Sequence, residues 1–509
     1  MATDVVPTFS SLDHDEYADV CIVGAGIAGL TTAYWLSRLG KAVIVLDDGP
    51  IVSGETERST AHLATALDSS YVELEWLHGE GGARLAAESH AAAIDQIEQI
   101  VFEEKIDCEF ERLDGYLFTN PGEPPEALDR ELAAAQRAGL TETSIVERAP
   151  LASYHTGKAL RFPRQAQFNP LKYLAALAQA IIRDGGRIYT KTHATHIAGG
   201  EPARIETRDG PVVTASVVVV ATNTPVNDML AIHTKQAAYR TYVIGAGVPT
   251  GSINKGLYWD TKNPYHFIRL QTRRSDASAA PAGDLLIVGG EDHKTGQADD
   301  AAVRYKQLEE WTRSRFPMTA DIRFRWSGQV VESMDGVAFI GRNPMDKQNV
   351  FIATGFSGNG MTCGAITGRL LTDLILGLEN PWVWLYEPSR KTMRAAERFA
   401  KEALNTAAQY GKWLTRGDVS TAALVTPGTG AIVRRGLNKI AVYCDDAGQK
   451  HECSAVCPHL GGIVAWNHSE ESWDCPCHGS RFNKLGKLLN GPANTDLQIV
   501  VEPQLVDVV

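Results

Sequence analysis

Apolar and polar positions along the chain follow two regimes. Up to about residue 400, short apolar runs alternate with longer stretches of helical period; beyond it only short strands and turns are predicted. Residues 20–23 read as a strand, 28–39 as an amphipathic helix ended by Gly40, and 42–46 as a second strand. The pattern then predicts helices over 71–105 and 125–139, a strand at 114–119, and a turn at Asn169-Pro170 that becomes a helix to residue 180. Strands follow at 187–196, 203–207 and 216–221, the last fully buried. Between about residues 239 and 328, the runs TYVIGAG, YHFIRLQ, DLLIVGGE and FRWSG predict an antiparallel sheet. DGVAFIG and NVFIATG, followed by a glycine loop and a long helix, return to the first pattern, and 389–404 reads as a polar helix. The fold class is therefore α/β (α+β), a doubly wound sheet interleaved with an antiparallel one, followed by a small all-β part.

The first strand–helix–strand unit carries chemistry. Gly24, Gly26 and Gly29 form GxGxxG between strand and helix, and Asp47 closes the second strand, with Asp48 next to it. The first glycine permits the turn, the second lets backbone approach a pyrophosphate, and the third lets the helix pack against its strand. The helix N-terminus, around Ile27 and Ala28, offers unpaired N–H groups to phosphates, and Asp47 can accept from a ribose diol. This context predicts a bound dinucleotide. VIGAGVPTG at 243–251 has the wrong spacing and no following helix, so it reads as a strand end rather than a second nucleotide loop.

Composition narrows the partners. The chain has 509 residues and a formal net charge of −12, which argues against nucleic acid or an anionic membrane as partner. The first eighteen residues lack the basic and apolar regions of a secretory signal, and no apolar run approaches a membrane span of about 20 residues. Five of the eight cysteines lie between Cys444 and Cys477, a clustering that suggests a metal site in a reducing, cytoplasmic compartment rather than a disulfide framework.

The glycine motif together with GFSGNGMTCG at 355–364, YHFIRLQ followed by DLLIVGGE, and WSGQVVESMDGVAFIG resembles the D-amino-acid oxidase/glycine oxidase superfamily of FAD-dependent oxidoreductases over about residues 17–400. The resemblance implies an FAD-binding domain in parts of about 17–70, 165–235 and 330–405, with substrate-domain parts of about 71–164 and 236–329, so that 1–405 forms one oxidoreductase. It implies that Gly24, Gly26, Ile27, Ala28, Gly29, Asp47, Asp48, Ser59, Thr60, His62 and Ala194 contact FAD, and that Gly355, Gly358, Gly360, Met361 and Thr362 line the flavin end. Tyr265, His266 and Arg269 are the substrate-side candidates. Members oxidise C–N bonds by hydride transfer. The arginine that clamps a free amino acid's carboxylate in this superfamily would fall near Val330 and is missing, which disfavours a free α-amino acid. In one branch a histidine near the place of His62 carries the flavin covalently; here His62 is either that residue or an ordinary loop histidine beside the flavin.

After a linker expected at 406–415, Cys457-Pro-His459 and, after fifteen intervening residues, Cys475-Pro-Cys477-His478 make CxH…CxxH. Two thiolates on one iron and two imidazoles on the other need such pairs on opposed loops. With LGG, CHGS and NGPA, the motif resembles a Rieske [2Fe–2S] domain over 416–509, its ligands Cys457, His459, Cys475 and His478. The competing reading is a structural zinc held by Cys453, Cys457, Cys475 and Cys477. In respiratory Rieske proteins the residue matching Cys477 is bridged to a cysteine where this chain has Gly462, and a tyrosine stands at the place of Phe482; Ser480 is retained. Fewer donors to the sulfurs imply a potential below the respiratory range.

Together the two halves predict a dehydrogenase that oxidises an amine or N-substituted amino acid and passes electrons singly to an external protein or quinone-like acceptor. A reductase fed by a ferredoxin-like donor, and a redox sensor or carrier without its own substrate, are the alternatives.

Overall fold

A computed structural model of the protein describes residues 6–119, 126–227, 232–272 and 283–500. The chain divides into two compact units, Met1–Asp292 with Ala302–Arg398, and His293–Ala301 with Phe399–Val509.

The first unit is built on strand β1 (Glu16–Val23), helix α1 (Ile27–Arg38) and strand β2 (Val43–Leu46). The last four residues of β1 and all of β2 are buried, as continuous apolar runs in a parallel sheet must be. β1 lies between β2 and the strand Val212–Val220, parallel to both, with Val20 opposite Val43 and Val217. Val350–Thr354 and Arg187–Tyr189 extend this sheet in parallel, and Phe339–Arg342 adds an antiparallel edge. Among the described residues the sheet has eight strands. α1 packs against the helix Gly360–Ile375 at glycine contacts. A Cβ on Gly364 would lie 2.6 Å from the Ile27 side chain, and one on Gly368 2.4 Å from that of Thr31.

The second sheet runs Ile322–Ser333, Gln236–Val248, Asp284–Lys294, His266–Gln271, Leu257–Asp260, Glu111–Phe118, Ala159–Gln167, His62–Leu63. Where their register is described, neighbours along it are antiparallel, except Leu257–Asp260 with Glu111–Phe118, which is parallel.

Several element boundaries differ from the pattern. The strand expected over 187–196 is two, Arg187–Tyr189 and Ala194–Ala198, because the chain between them crosses the end of β2, where Thr192 N donates to Asp47 O at 2.8 Å. The long helix Tyr71–Glu103 is interrupted at Gly79, whose φ of 74° is non-helical. The helix expected from Pro125, which lies outside the described residues, is seen over Glu126–Arg137. The polar helix starts late, at Ala396, and the helix Ala301–Arg315 was not expected because charges surround its few apolar positions.

The second unit holds a three-stranded sheet, Thr429–Arg435, Asn438–Cys444 and Lys450–Ser454, and a four-stranded one, Ala465–Asn467, Ser472–Asp474, Arg481–Asn483 and Leu488–Asn490. Its core includes fully buried Trp473 and Phe482 and the cysteines Cys453, Cys457, Cys475 and Cys477. No described helix is long and apolar enough to cross a membrane.

Candidate cofactor and substrate sites

The turn after β1 is shaped by close backbone approach. Gly24 has φ +108°, and a Cβ there would lie 2.5 Å from Ala221 O; one on Gly29 would lie 1.9 Å from Gly24 O. Neither position tolerates a side chain. A Cβ on Gly26 would meet only Thr56 Oγ1 within 4 Å, at 3.1 Å, and that hydroxyl also accepts from Ile27 N at 3.2 Å. The start of α1 therefore presents the open backbone that phosphates require. Asp47 accepts from Ala25 N at 2.7 Å and Gly49 N at 2.9 Å, and burial pushes its carboxyl up to about 7. Asp48 is exposed, 3.3 Å from His193 Nδ1. Residues 191 and 192 bond to the Asp47–Gly49 turn and lead into Ala194.

Ser59, Thr60 and His62 follow. Ser59 Oγ accepts from Ala61 N at 3.0 Å, and Thr60 Oγ1 lies 3.1 Å from His62 Nδ1. His62 Nε2 is buried with no hydrogen-bond partner. Burial first, and the charge of Arg269 second, push the imidazole down to about 3, so it is neutral. An orphaned neutral nitrogen here is what a site awaiting a bound group leaves behind.

The glycine loop lies ahead of the helix Gly360–Ile375. Gly355 adopts φ +71°, and Gly360 faces open space. Asp68 accepts from Gly358 N through its carboxylate and donates its own N–H to Asn359 Oδ1 at 3.2 Å. Thr362 Oγ1 lies 2.8 Å from the buried His90 Nδ1, while Met361 is buried. Asp68, Ser357, Asn359, Cys363 and Tyr386 line a cavity at this loop.

The substrate-side candidates separate. Strand alternation puts Tyr265, Phe267 and Arg269 on one face and His266 on the other. Tyr265 and Phe267 rings lie 5.9 Å apart, and Phe267 is 5.6 Å from His62. His266 is fully buried instead, with Nδ1 2.9 Å from Asp260, Nε2 3.2 Å from Glu291, and its ring stacked at 4.2 Å on Trp311. Arg269 donates to Thr60 O at 2.7 Å, Ala61 O at 3.3 Å and Phe168 O at 3.4 Å, so its guanidinium is engaged in fixing the loop that leads to His62. Three carboxyls were not expected. Asp68, Asp292 and Glu332 all add to the rise that burial imposes on the Tyr265 hydroxyl, and burial pushes Asp292 itself up to about 7. Asp292 Oδ1 is buried without a partner. The only sequence signal was an acid just past Gly-Gly in a strand.

In the second unit the motif donors come together in two pairs. The imidazoles of His459 and His478 lie 4.9 Å apart, nearly perpendicular. The thiols of Cys457 and Cys475 are hydrogen-bonded to each other, and Ser480 also reaches Cys457. Each loop closes on itself: Cys457 N donates to Gly462 O at 2.8 Å, and Cys475 N to Ser480 O at 2.8 Å. A buried ion pair, Arg481 Nε to Asp474 Oδ1 at 3.0 Å, fixes the base of the second loop, with Ser472 and Asn467 completing the carboxylate. Two irons sharing two thiolates and two imidazoles need such pairs; the thiol of Cys475 also neighbours that of Cys477. Cys453 is turned away, against Ala441 O and Gly486. None of the eight cysteines is in a disulfide.

Residues 19–374 match the family of FAD dependent oxidoreductases (DAO), and residues 416–501 the Rieske [2Fe-2S] domain. The chain belongs to the DAO family of FAD-dependent oxidoreductases and carries a Rieske domain after it. It is 32% identical over 97% of its length, and 95% of the relative's, to YhfW of Bacillus subtilis (strain 168), described as a Rieske 2Fe-2S iron-sulfur protein. It is 26% identical to the gamma-glutamylputrescine oxidoreductase of Escherichia coli (strain K12), over 72% of this chain and 86% of that one. Glycine oxidase from Geobacillus kaustophilus has the same fold over 74% of this chain and 99% of its own, with a TM-score of 0.60 and 18% identity. The protein is an enzyme, an oxidoreductase, and its cofactors are FAD and a [2Fe–2S] cluster. The open glycine backbone, Asp47 and the orphaned His62 nitrogen fit the first; the paired thiols and imidazoles fit the second.

Proposed function

We propose that the enzyme is an amine dehydrogenase. It oxidises the C–N bond of an amine or N-substituted amino acid to an imine, with loss of a hydride and a proton, and releases the two electrons one at a time to an external acceptor. FAD supplies hydride acceptance and the cluster supplies one-electron transfer. In this reading Gly24, Gly26, Gly29 and Asp47 hold the nucleotide, the 355–362 loop holds the flavin, and Cys457, His459, Cys475 and His478 hold the cluster.

The observation that carries the substrate class is the charge around Tyr265. The side chains that act on its hydroxyl, Asp68, Asp292 and Glu332, are all acids, while Arg269 is occupied by backbone carbonyls. Such a wall attracts a cationic amine and repels a carboxylate placed beside it. Asp292, with its carboxyl near 7, is the candidate to take the ammonium proton so that a neutral amine can react. The Escherichia coli relative's name, which denotes a putrescine derivative, points to amines as well.

Anaerobic titration tests this. A secondary or primary amine bleaches the flavin absorbance and then reduces the cluster. Complete reduction stores three electrons per chain and consumes about 1.5 equivalents of a two-electron donor. No bleaching across an amine panel, with cluster-first reduction by a ferredoxin, would sink the proposal.

A further inference from the structure

The two loops that present the cluster donors are held from outside the matched Rieske segment, which begins at residue 416. On the first loop, Tyr410 Oη donates to Leu460 O at 2.7 Å and Trp413 Nε1 to Gly461 O at 2.9 Å. On the second, Gln297 Nε2 donates to Pro476 O at 3.1 Å, across 179 positions of sequence. Backbone meets backbone at the same place: a Cβ on Gly296 would lie 2.7 Å from Asp474 O and 2.8 Å from Pro476 N. Asp299 Oδ1 accepts from His468 N at 3.0 Å, on the turn before the strand that leads into the second loop. Lys412 Nζ donates to Gly296 O at 3.5 Å, and Lys294 pairs with Glu402, so the two holding segments are tied to each other. Segment His293–Ala301 belongs to the same compact unit as the Rieske strands.

The carbonyls that are held belong to peptides next to the donors. Pro476 stands between Cys475 and Cys477, and Leu460 follows His459. Fixing a carbonyl fixes its peptide plane, and with it the direction of the N–H groups and side chains on either side. Ligand orientation set through such outer contacts governs both retention and potential of a metal centre. No cysteine at 462 joins the loops covalently, and the hydrogen bonds to their carbonyls hold each loop from outside.

We infer that Gln297, Tyr410 and Trp413 are positioning residues of the iron–sulfur centre, two jaws that hold the ligand loops from segments a Rieske domain alone would lack. None of the three is a ligand; each acts through the Leu460, Gly461 or Pro476 carbonyl. This rests on the cluster, not on the amine reading, and its test uses no substrate.

The test uses full-length holoenzyme carrying Gln297→Met, Trp413→Phe, or both. Each change keeps most of the side-chain volume and removes the group that donates to the held carbonyl. The expected result is unchanged flavin content and thermal stability, an altered electron spin resonance spectrum and midpoint potential of the reduced cluster, and iron lost to a chelator about tenfold faster. Wild-type spectrum, potential and iron-loss rate within twofold, in both single variants and the double, would overturn the inference. Should Trp413→Phe not fold, the Gln297→Met spectrum and potential decide alone.

Discussion

Asp292 is a side chain whose environment the sequence did not announce. Desolvation and the neighbouring charges of Asp68 and Glu291 raise its carboxyl to about 7, against the pull of Thr241 and Arg304. A base must be ionised to accept a proton, so kcat/KM for an amine should rise with pH through about 7. Asp292→Asn should remove that limb and lower kcat/KM about 100-fold, while leaving the flavin and cluster spectra as they are; a pH–rate profile checks both. Gly462 makes a second case. A Cβ there would stand 2.7 Å from Cys477 Sγ and 3.4 Å from Cys477 Cβ. Its φ is not in the left-handed region, so a side chain is allowed by the backbone, and the Cβ spacing is close to the roughly 3.5–4.5 Å of a disulfide. Gly462→Cys should form a bond to Cys477, visible as the loss of two titratable thiols under non-reducing conditions. At this scale strand period was enough to foresee that Tyr265 and His266 cannot share a face. It could not foresee that Arg269 would be consumed by the carbonyls of Thr60, Ala61 and Phe168, because those partners lie 101 to 209 positions away.

Elements carry the next set of constraints. The Cys475–Ser480 loop stands on the hairpin of Ser472–Asp474 and Arg481–Asn483, whose facing residues Asp474 and Arg481 form an ion pair exposed by only 1% and 2%. Removing one partner of a buried pair leaves an uncompensated charge and costs about 3–5 kcal/mol. Asp474→Ala should therefore destabilise the C-terminal unit by about that amount in denaturant titration and release iron, with flavin binding intact. In the first unit, the helices Ile27–Arg38 and Gly360–Ile375 can approach closely because Gly364 and Gly368 face Ile27 and Thr31. That brings two helix N-termini, the ones the proposed function gives to the phosphates and to the flavin end, to the same end of the parallel strands. The motif glycines announced each helix start; the crossing between them, set by glycines 338 or more positions downstream of Gly26, needed the fold.

On the scale of the whole molecule, the proposed function has two cofactors of different electron number serve one reaction. Removing the iron should leave reduction of the flavin absorbance by substrate intact, while reduction of the external one-electron acceptor falls to the rate of the flavin alone. Comparing both rates before and after chelation, with iron measured in each sample, checks this. The division into units also differs from the linear reading. Composition marked a linker at 406–415, yet Tyr410 and Trp413 bond to the first cluster loop, and His293–Ala301 joins the C-terminal unit from within the oxidoreductase region.

The amino-acid sequence by itself determined the chemistry: which glycines open the phosphate turn, which acid ends the second strand, and which two cysteines and two histidines pair. Those are local patterns, since a turn, a helix start or a CxH loop is specified within a few residues. The tertiary structure decided what surrounds them: the acids that converge near Tyr265, the partners that occupy Arg269 and His266, and the distant segment that grips Pro476. These depend on contacts between residues far apart in sequence, and on burial, which exists only once the chain has closed around them.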